Sequence, residues 1–127
     1  MRRKAPRAAP AAPASPLSEA ELVAGHAARF SAIIEVMPDL VYFKDRSLRN
    51  LAVNEAYCRV IGKRREDILG RTDDEVLPAE LALQCRRSDE EVLTTERAVR
   101  DEQTTAAGEV FDTYKAPFPG PDGRTIG

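Results

Sequence analysis

The chain has 127 residues, 43% of them hydrophobic and 31% charged, with two cysteines and one histidine. That length holds at most one domain with a core of modest depth. Cys58 and Cys85 show no CxxC spacing, which fits a reduced, cytoplasmic protein rather than a disulfide scaffold. The formal charge of -2 is unevenly split: residues 1–17 carry Arg2, Arg3, Lys4 and Arg7 and no acid, leaving -6 on the remainder. An acidic folded part argues against nucleic acid as its partner. No stretch is long and apolar enough to insert in a membrane, and prolines interrupt the N-terminal alanine run where a signal-peptide core would need continuity.

Residues 1–17 are rich in Pro and Ala and are expected to form a disordered leader, since such a segment buries no core. Ser18-Glu19-Ala20-Glu21 is a capping box, and the helix it opens is expected to run to about Met37, where Pro38 stops it. Val23, Phe30 and Met37 fall seven apart, with Ala27 and Ile34 between them. This stripe leaves two readings open. The helix packs on its own domain, or it pairs with a second subunit through Val23, Phe30, Ile34 and Met37.

Leu40 to Phe43 is an apolar, β-branched and aromatic run expected to form a strand. Asp45-Arg46-Ser47 turns the chain, and Leu51-Ala52-Val53 forms a second strand. Asn54 stands where a helix N-cap belongs, ahead of Ala56, Tyr57, Val60 and Ile61, and Gly62 ends that helix. A further turn runs from Arg64 to Leu69 and closes at Gly70. Thr72 or Asp73 can cap the next segment, and Pro78 suits the first position of a helix extending to about Thr95. Leu81, Cys85, Ser88 and Val92 share one face of it. Val99 to Ala106 and Glu109 to Phe118 are expected strands around the turn at Ala107-Gly108. Pro121-Asp122-Gly123 is a tight-turn signal, and Arg124 begins another strand. This order argues an α+β fold with an antiparallel sheet covered on one face.

The same residues resemble a PAS domain, the sensory module of bacterial signalling proteins. The resemblance covers roughly residues 30–127. It rests on Met37 to Asp45, Val53 to Tyr57, Ile61-Gly62, Asp67 to Asp73, Asp89 to Leu93, and Pro117 with Asp122 to Gly127. It implies a five-stranded antiparallel sheet under a helical clasp, with a cavity between them. The sequence departs from the family pattern at two places. Leu48 stands where the family's first hairpin usually carries glycine, so a turn of different shape is expected there. The family's fifth strand is central and continues past the position of Gly127, so the PAS core at residues 38–127 is expected to be C-terminally incomplete and to lack most of a middle strand.

The resemblance also bears on cofactors. Haem-binding relatives place a histidine on the long helix, but His26 lies on the lead-in helix, so haem held by histidine is not expected. Light-sensing relatives use a cysteine in an Asn-Cys-Arg-Phe-type motif where this chain has Gly70-Arg71-Thr72-Asp73-Asp74, so flavin-cysteinyl photochemistry is not expected either. Asp73-Asp74-Glu75 reads as a helix cap and first-turn acids rather than a metal site or an acid–base pair, since it lacks further ligands and any His or nucleophile. Cys85, flanked by Arg86 and Arg87, reads as a small buried hydrophobe, or alternatively as a redox-reactive thiol.

The function implied is a non-catalytic sensory and dimerisation module of a histidine kinase in a two-component system, or of a diguanylate cyclase. A small molecule or partner would bias its packing and so signal to an output domain. Inward-facing periodicity nominates Tyr42, Tyr57, Leu81, Cys85, Phe111 and Tyr114 as cavity lining. A homodimer through the N-terminal helix or the sheet face is expected. Two other readings stand beside this one. The first is a PAS module acting by protein contacts alone, suggested because no polar group converges on the expected core. The second is a small cavity enzyme using Asp73 or Asp74 as a base, which requires a buried carboxylate.

Overall fold

The computed structural model describes residues 15–127, so most of the expected Pro/Ala leader lies outside the described residues. Helix α1 spans Glu19–Val36. The Ser18 hydroxyl accepts from the Glu21 amide at 3.2 Å while the Glu21 carboxylate accepts from the Ser18 amide at 2.8 Å. Two of the orphan donors at the helix start are thereby satisfied. Strands β1 (Tyr42–Lys44) and β2 (Asn50–Val53) form an antiparallel hairpin with a bulge between Phe43 and Lys44. Helices α2 (Glu55–Ile61), α3 (Arg65–Ile68) and α4 (Asp73–Val76) follow, then the long α5 (Ala79–Thr95). Strands β3 (Val99–Thr104) and β4 (Val110–Lys115) form a second antiparallel hairpin in unbroken register, from Val99 opposite Lys115 to Thr104 opposite Val110.

The β1–β2 turn corrects one expectation. Leu48 takes φ 60°, the left-handed conformation that glycine would supply. That backbone costs a leucine about 1–2 kcal/mol. Asp45 offsets it by accepting from the Ser47 amide at 2.8 Å and the Arg49 amide at 3.0 Å through one carboxylate oxygen. An Asp side chain mimics a backbone turn in this way, so a non-glycine residue holds the left-handed position. Helix α5 holds a smaller difference: Pro78 is its N-cap, and the first helical residue is Ala79.

The two hairpins share no ladder. The segment after Pro121-Asp122-Gly123 enters the space between them. The Phe118 amide donates to the Gly127 carbonyl at 2.8 Å, the Ile126 amide to the Phe118 carbonyl at 2.9 Å, and the Gly120 amide to the Arg124 carbonyl at 2.8 Å. Gly127 lies so close to β1 that a Cβ there would fall 2.0 Å from the Lys44 carbonyl oxygen. Residues 124–127 therefore run beside residues 118–120, which follow β4, and reach β1, at the place of the expected fifth strand.

Val53, Tyr57, Cys58, Ile68 and Val76 form the apolar core, with Leu40, Tyr42, Ile61 and Leu77 packed against it. Along β1, Tyr42 and Lys44 alternate with Phe43, so Phe43 points to the other side of the sheet. There its ring stands edge-on to Phe30 of α1 at 5.2 Å and to Phe118 at 5.5 Å. Helix α1 thus packs on the outer side of the first hairpin. Ile34 is buried in its own domain, which takes it out of the second-subunit reading, while Phe30 touches Phe43 but stays 44% exposed. Val23 and Met37 stay exposed, together with Leu22, Ile33 and Val36.

Asn54 joins α1 to the hairpin. Its carbonyl oxygen accepts from the Tyr57 amide at 3.1 Å, which caps α2, and from the Val41 amide at 3.1 Å. Its amide nitrogen donates to the carbonyls of Ile34 and Asp39 at 2.8 Å each and lies 3.4 Å from that of Met37. One fully buried side chain thus satisfies backbone groups from α1, from the segment leading into β1, and from α2.

Candidate functional site

A cleft of about 1490 Å³ runs between α4, α5 and the two hairpins. All six residues nominated from sequence, Tyr42, Tyr57, Leu81, Cys85, Phe111 and Tyr114, border it. Tyr114 does so from the surface, with 72% of it exposed. Phe111 and Tyr114 lie three apart on one regular strand, so they cannot share a face. Along β4 the side chains of Phe111, Thr113 and Lys115 turn inward, and those of Val110, Asp112 and Tyr114 turn out.

The wall of this cleft carries charges, contrary to the expectation that no polar group converges there. Lys44 of β1 places its Nζ 2.5 Å from Asp73 Oδ2 and 2.6 Å from Asp89 Oδ2. Lys115 of β4 places its Nζ 2.6 Å from Asp89 Oδ1 and donates to the Cys85 carbonyl at 3.0 Å. All four charged side chains are between 5% and 8% exposed. Asp89 on α5 therefore bridges the two hairpins, one carboxylate oxygen to each. The set is neutral, which is what allows it to be buried at all. Both ammonium groups also sit over the Tyr42 ring, 5.1 Å and 5.9 Å from its centroid.

A second polar chain adjoins the first. The Cys85 thiol donates to Gln103 Oε1 at 3.3 Å, and the Gln103 amide donates to the Ser88 hydroxyl at 3.3 Å. Ser88 closes the loop on the Cys85 carbonyl at 3.2 Å. Burial pushes the Cys85 thiol up to about 11, so it is a protonated donor near neutrality, which supports the buried-hydrophobe reading over a reactive thiolate. Burial and the nearby Asp89 carboxylate raise the Tyr42 hydroxyl, and burial and Asp73 raise that of Tyr57. Burial alone would depress the Lys44 ammonium, but Asp73 and Asp89 outweigh it and raise its pKa. Two polar atoms in the cleft wall have no protein partner: the Tyr42 hydroxyl and Asp73 Oδ1.

The acidic run separates into three roles. Glu75 reaches back to the Thr72 amide at 2.8 Å, as a first-turn acid does, and Asp74 pairs with Arg86 at 2.7 Å on the surface. Asp73 is neither a simple cap nor a free base, because it is buried against Lys44. Among the described residues, no group of three or more His, Cys, Asp and Glu side chains is placed to hold a metal ion.

Lys44, Asp89, Lys115 and Gln103 were not among the nominated residues, though the pattern contains them. Asp89 lies four residues after Cys85 and three before Val92, on the same helical stripe. Lys44 alternates with Tyr42, and Lys115 with Phe111 and Thr113. A charge at an inward position is the signal, and it shows once the register of each element is fixed.

Known proteins resemble this chain. The PAS fold family model matches residues 34–127. The uncharacterised protein y4lL of Sinorhizobium fredii is 38% identical over 85 residues, which cover 65% of this chain and 10% of that protein. VqmA of Vibrio cholerae, in a ligand–DNA complex, superposes with a TM-score of 0.63 at 26% identity, covering 78% of this chain and 47% of its own. The PAS domain of Bordetella pertussis BvgS superposes with a TM-score of 0.60 at 24% identity, over 80% of each chain. Two antiparallel hairpins, a helical clasp and a cleft between them agree with that match, and the chain belongs to the PAS fold family.

Proposed function

We propose that this chain is a non-catalytic sensory module that takes a small molecule into the cleft between α4, α5 and the hairpins and passes the change to an output domain. The observation that carries this reading is the pair of unpartnered buried atoms, the Tyr42 hydroxyl and Asp73 Oδ1, in the wall of that cleft. A buried polar atom without a partner costs about 1–3 kcal/mol, a cost that a bound molecule removes. VqmA, 25% identical over 78% of this chain, has a structure bound to DPO, which supports a ligand-taking relative. The route outward is through Asp89, which touches both hairpins, and through Phe43 to Phe30 of α1. The exposed apolar residues of α1, among them Val23, Ile33 and Val36, suit pairing with a second copy. The output, in this reading, is a kinase or cyclase of a cytoplasmic signalling protein. The net acidity of residues 18–127 sets the folded part away from direct contact with nucleic acid.

Native mass spectrometry of protein purified from cells tests the reading. A retained small molecule that is lost in Tyr42→Phe is expected. Bare protein from several hosts, with no molecule recovered on denaturation, would leave a protein-interaction module instead.

A further inference from the structure

We infer that the molecule held in this cleft is uncharged and presents at least one N–H or O–H to Asp73. This rests on the ligand-binding reading above and narrows it to a chemical class.

The charge balance of the wall carries the first half. Of the charged residues along the cleft, Lys44, Lys115, Asp73 and Asp89 have side chains at most 8% exposed, and these four sum to zero. Asp39, Lys63, Glu75, Glu109 and Asp112 are exposed, and Asp45 is half-buried. A net charge added beside such a set has no free counter-charge to meet. Lys44 already holds two carboxylates, and Lys115 holds Asp89 and the Cys85 carbonyl. An anionic ligand must displace Asp73 or Asp89 and strand it, and a cationic one adds a positive charge beside the buried Lys44 and Lys115 ammonium groups. Either leaves a buried charge unpaired. A neutral molecule disturbs none of these contacts.

The unpartnered atoms carry the second half. Asp73 Oδ1 is a carboxylate oxygen and only accepts hydrogen bonds, so what it lacks is a donor. The Tyr42 hydroxyl can donate or accept, and it is the other atom left without a partner. A neutral group carrying a donor beside an acceptor, such as a primary amide or a lactam, meets both. The rings of Tyr42, Tyr57 and Phe111 supply apolar lining for the rest of the molecule.

Four probes of one shape decide the matter: benzamide, benzoate, benzamidine and methyl benzoate, titrated into the protein at neutral pH and followed by the amide resonances of Tyr42, Asp73, Asp89 and Lys115. Benzamide is expected to bind about tenfold or more tightly than the other three, a gap of about 1.4 kcal/mol. In Tyr42→Phe both carbonyls lose the same donor, so benzamide and methyl benzoate are expected to weaken together while benzamide keeps its lead, which its N–H to Asp73 supplies. Benzoate or benzamidine binding as tightly as benzamide would overturn the claim of neutrality. Methyl benzoate binding as tightly would overturn the requirement for a donor. Each of those results leaves the cleft a binding site. If no probe moves those resonances, the ligand reading itself falls and the class falls with it.

Discussion

Asp89→Asn tests the buried charge set most directly. Asp89 makes contacts of 2.6 Å to both Lys44 and Lys115, and its side chain is 7% exposed. Removing its charge strands the two lysines unequally. Lys44 keeps Asp73 at 2.5 Å, whereas Lys115 keeps only the Cys85 carbonyl at 3.0 Å. Breaking a buried pair costs about 3–5 kcal/mol, because the surviving charge is left uncompensated. The isosteric amide still offers Lys115 a neutral acceptor, so a value near 3 kcal/mol is expected, roughly a 150-fold fall in the folded-to-unfolded ratio. With a urea slope of about 1.5 kcal/mol/M, the midpoint drops by about 2 M. Adding Lys115→Met should restore neutrality and recover most of the loss. Urea denaturation of wild type, both single variants and the double variant by circular dichroism closes the cycle. A loss under about 0.5 kcal/mol for Asp89→Asn, or strict additivity of the two substitutions, would refute the bridging role.

Other outcomes follow from the same contacts. Stability falls as pH rises from about 9, because the folded state keeps protons that the unfolded chain releases: Cys85 moves from 9.0 to about 11, and Tyr42, Tyr57 and Lys44 are raised as well. Cys85→Ser should remove on the order of 2 kcal/mol of that slope between pH 9 and 11, read as melting temperature against pH. Glu96, the exposed C-cap of α5 with φ 53°, holds a left-handed backbone at a cost to any side chain, so Glu96→Gly should stabilise by about 1 kcal/mol in the same denaturation assay. Asn54→Ala unseats two buried amides and the carbonyls at the end of α1, and should cost on the order of 4 kcal/mol, with faster hydrogen exchange at Val41 and Tyr57. Unchanged exchange at both would show that Asn54 is not what holds that junction.

Much of this architecture is legible in the sequence because each element carries its own punctuation. The capping box at Ser18, Asn54 before a helical stripe, and the turns at Gly108 and Gly123 all lie where local chemistry places them. The candidate site was less legible. The apolar members of the cleft follow from periodicity, but Lys44, Asp73, Asp89 and Lys115 come from β1, α4, α5 and β4 and find each other only when those elements pack. In isolation each looks like a solvated charge, and Asp73 looks like a cap. Tyr114 borders the cleft, but its side chain turns outward, because the face a residue takes on β4 depends on the two-residue register that starts at Val110. The Leu48 turn is illegible for another reason: the cost of its left-handed backbone is visible in the sequence, but the Asp45 carboxylate that offsets it shows only in the folded turn.

The Asn54 junction sets a rule for how this domain can be joined to anything upstream. Its amide reads the carbonyls of Ile34 and Asp39, five residues apart, against the fixed Val41 amide. The phase of α1 is thus counted from inside the domain. A single-residue insertion between Val36 and Leu40 would offer Asn54 a different carbonyl and turn the helix by about 100°. An upstream helix fused in phase at Ile34 inherits a defined azimuth, and one fused out of phase loses it. Compatibility with a neighbouring helix is then a question of residue count modulo the helical repeat, and hybrid proteins built at this boundary should alternate between coupled and uncoupled behaviour as residues are added one at a time.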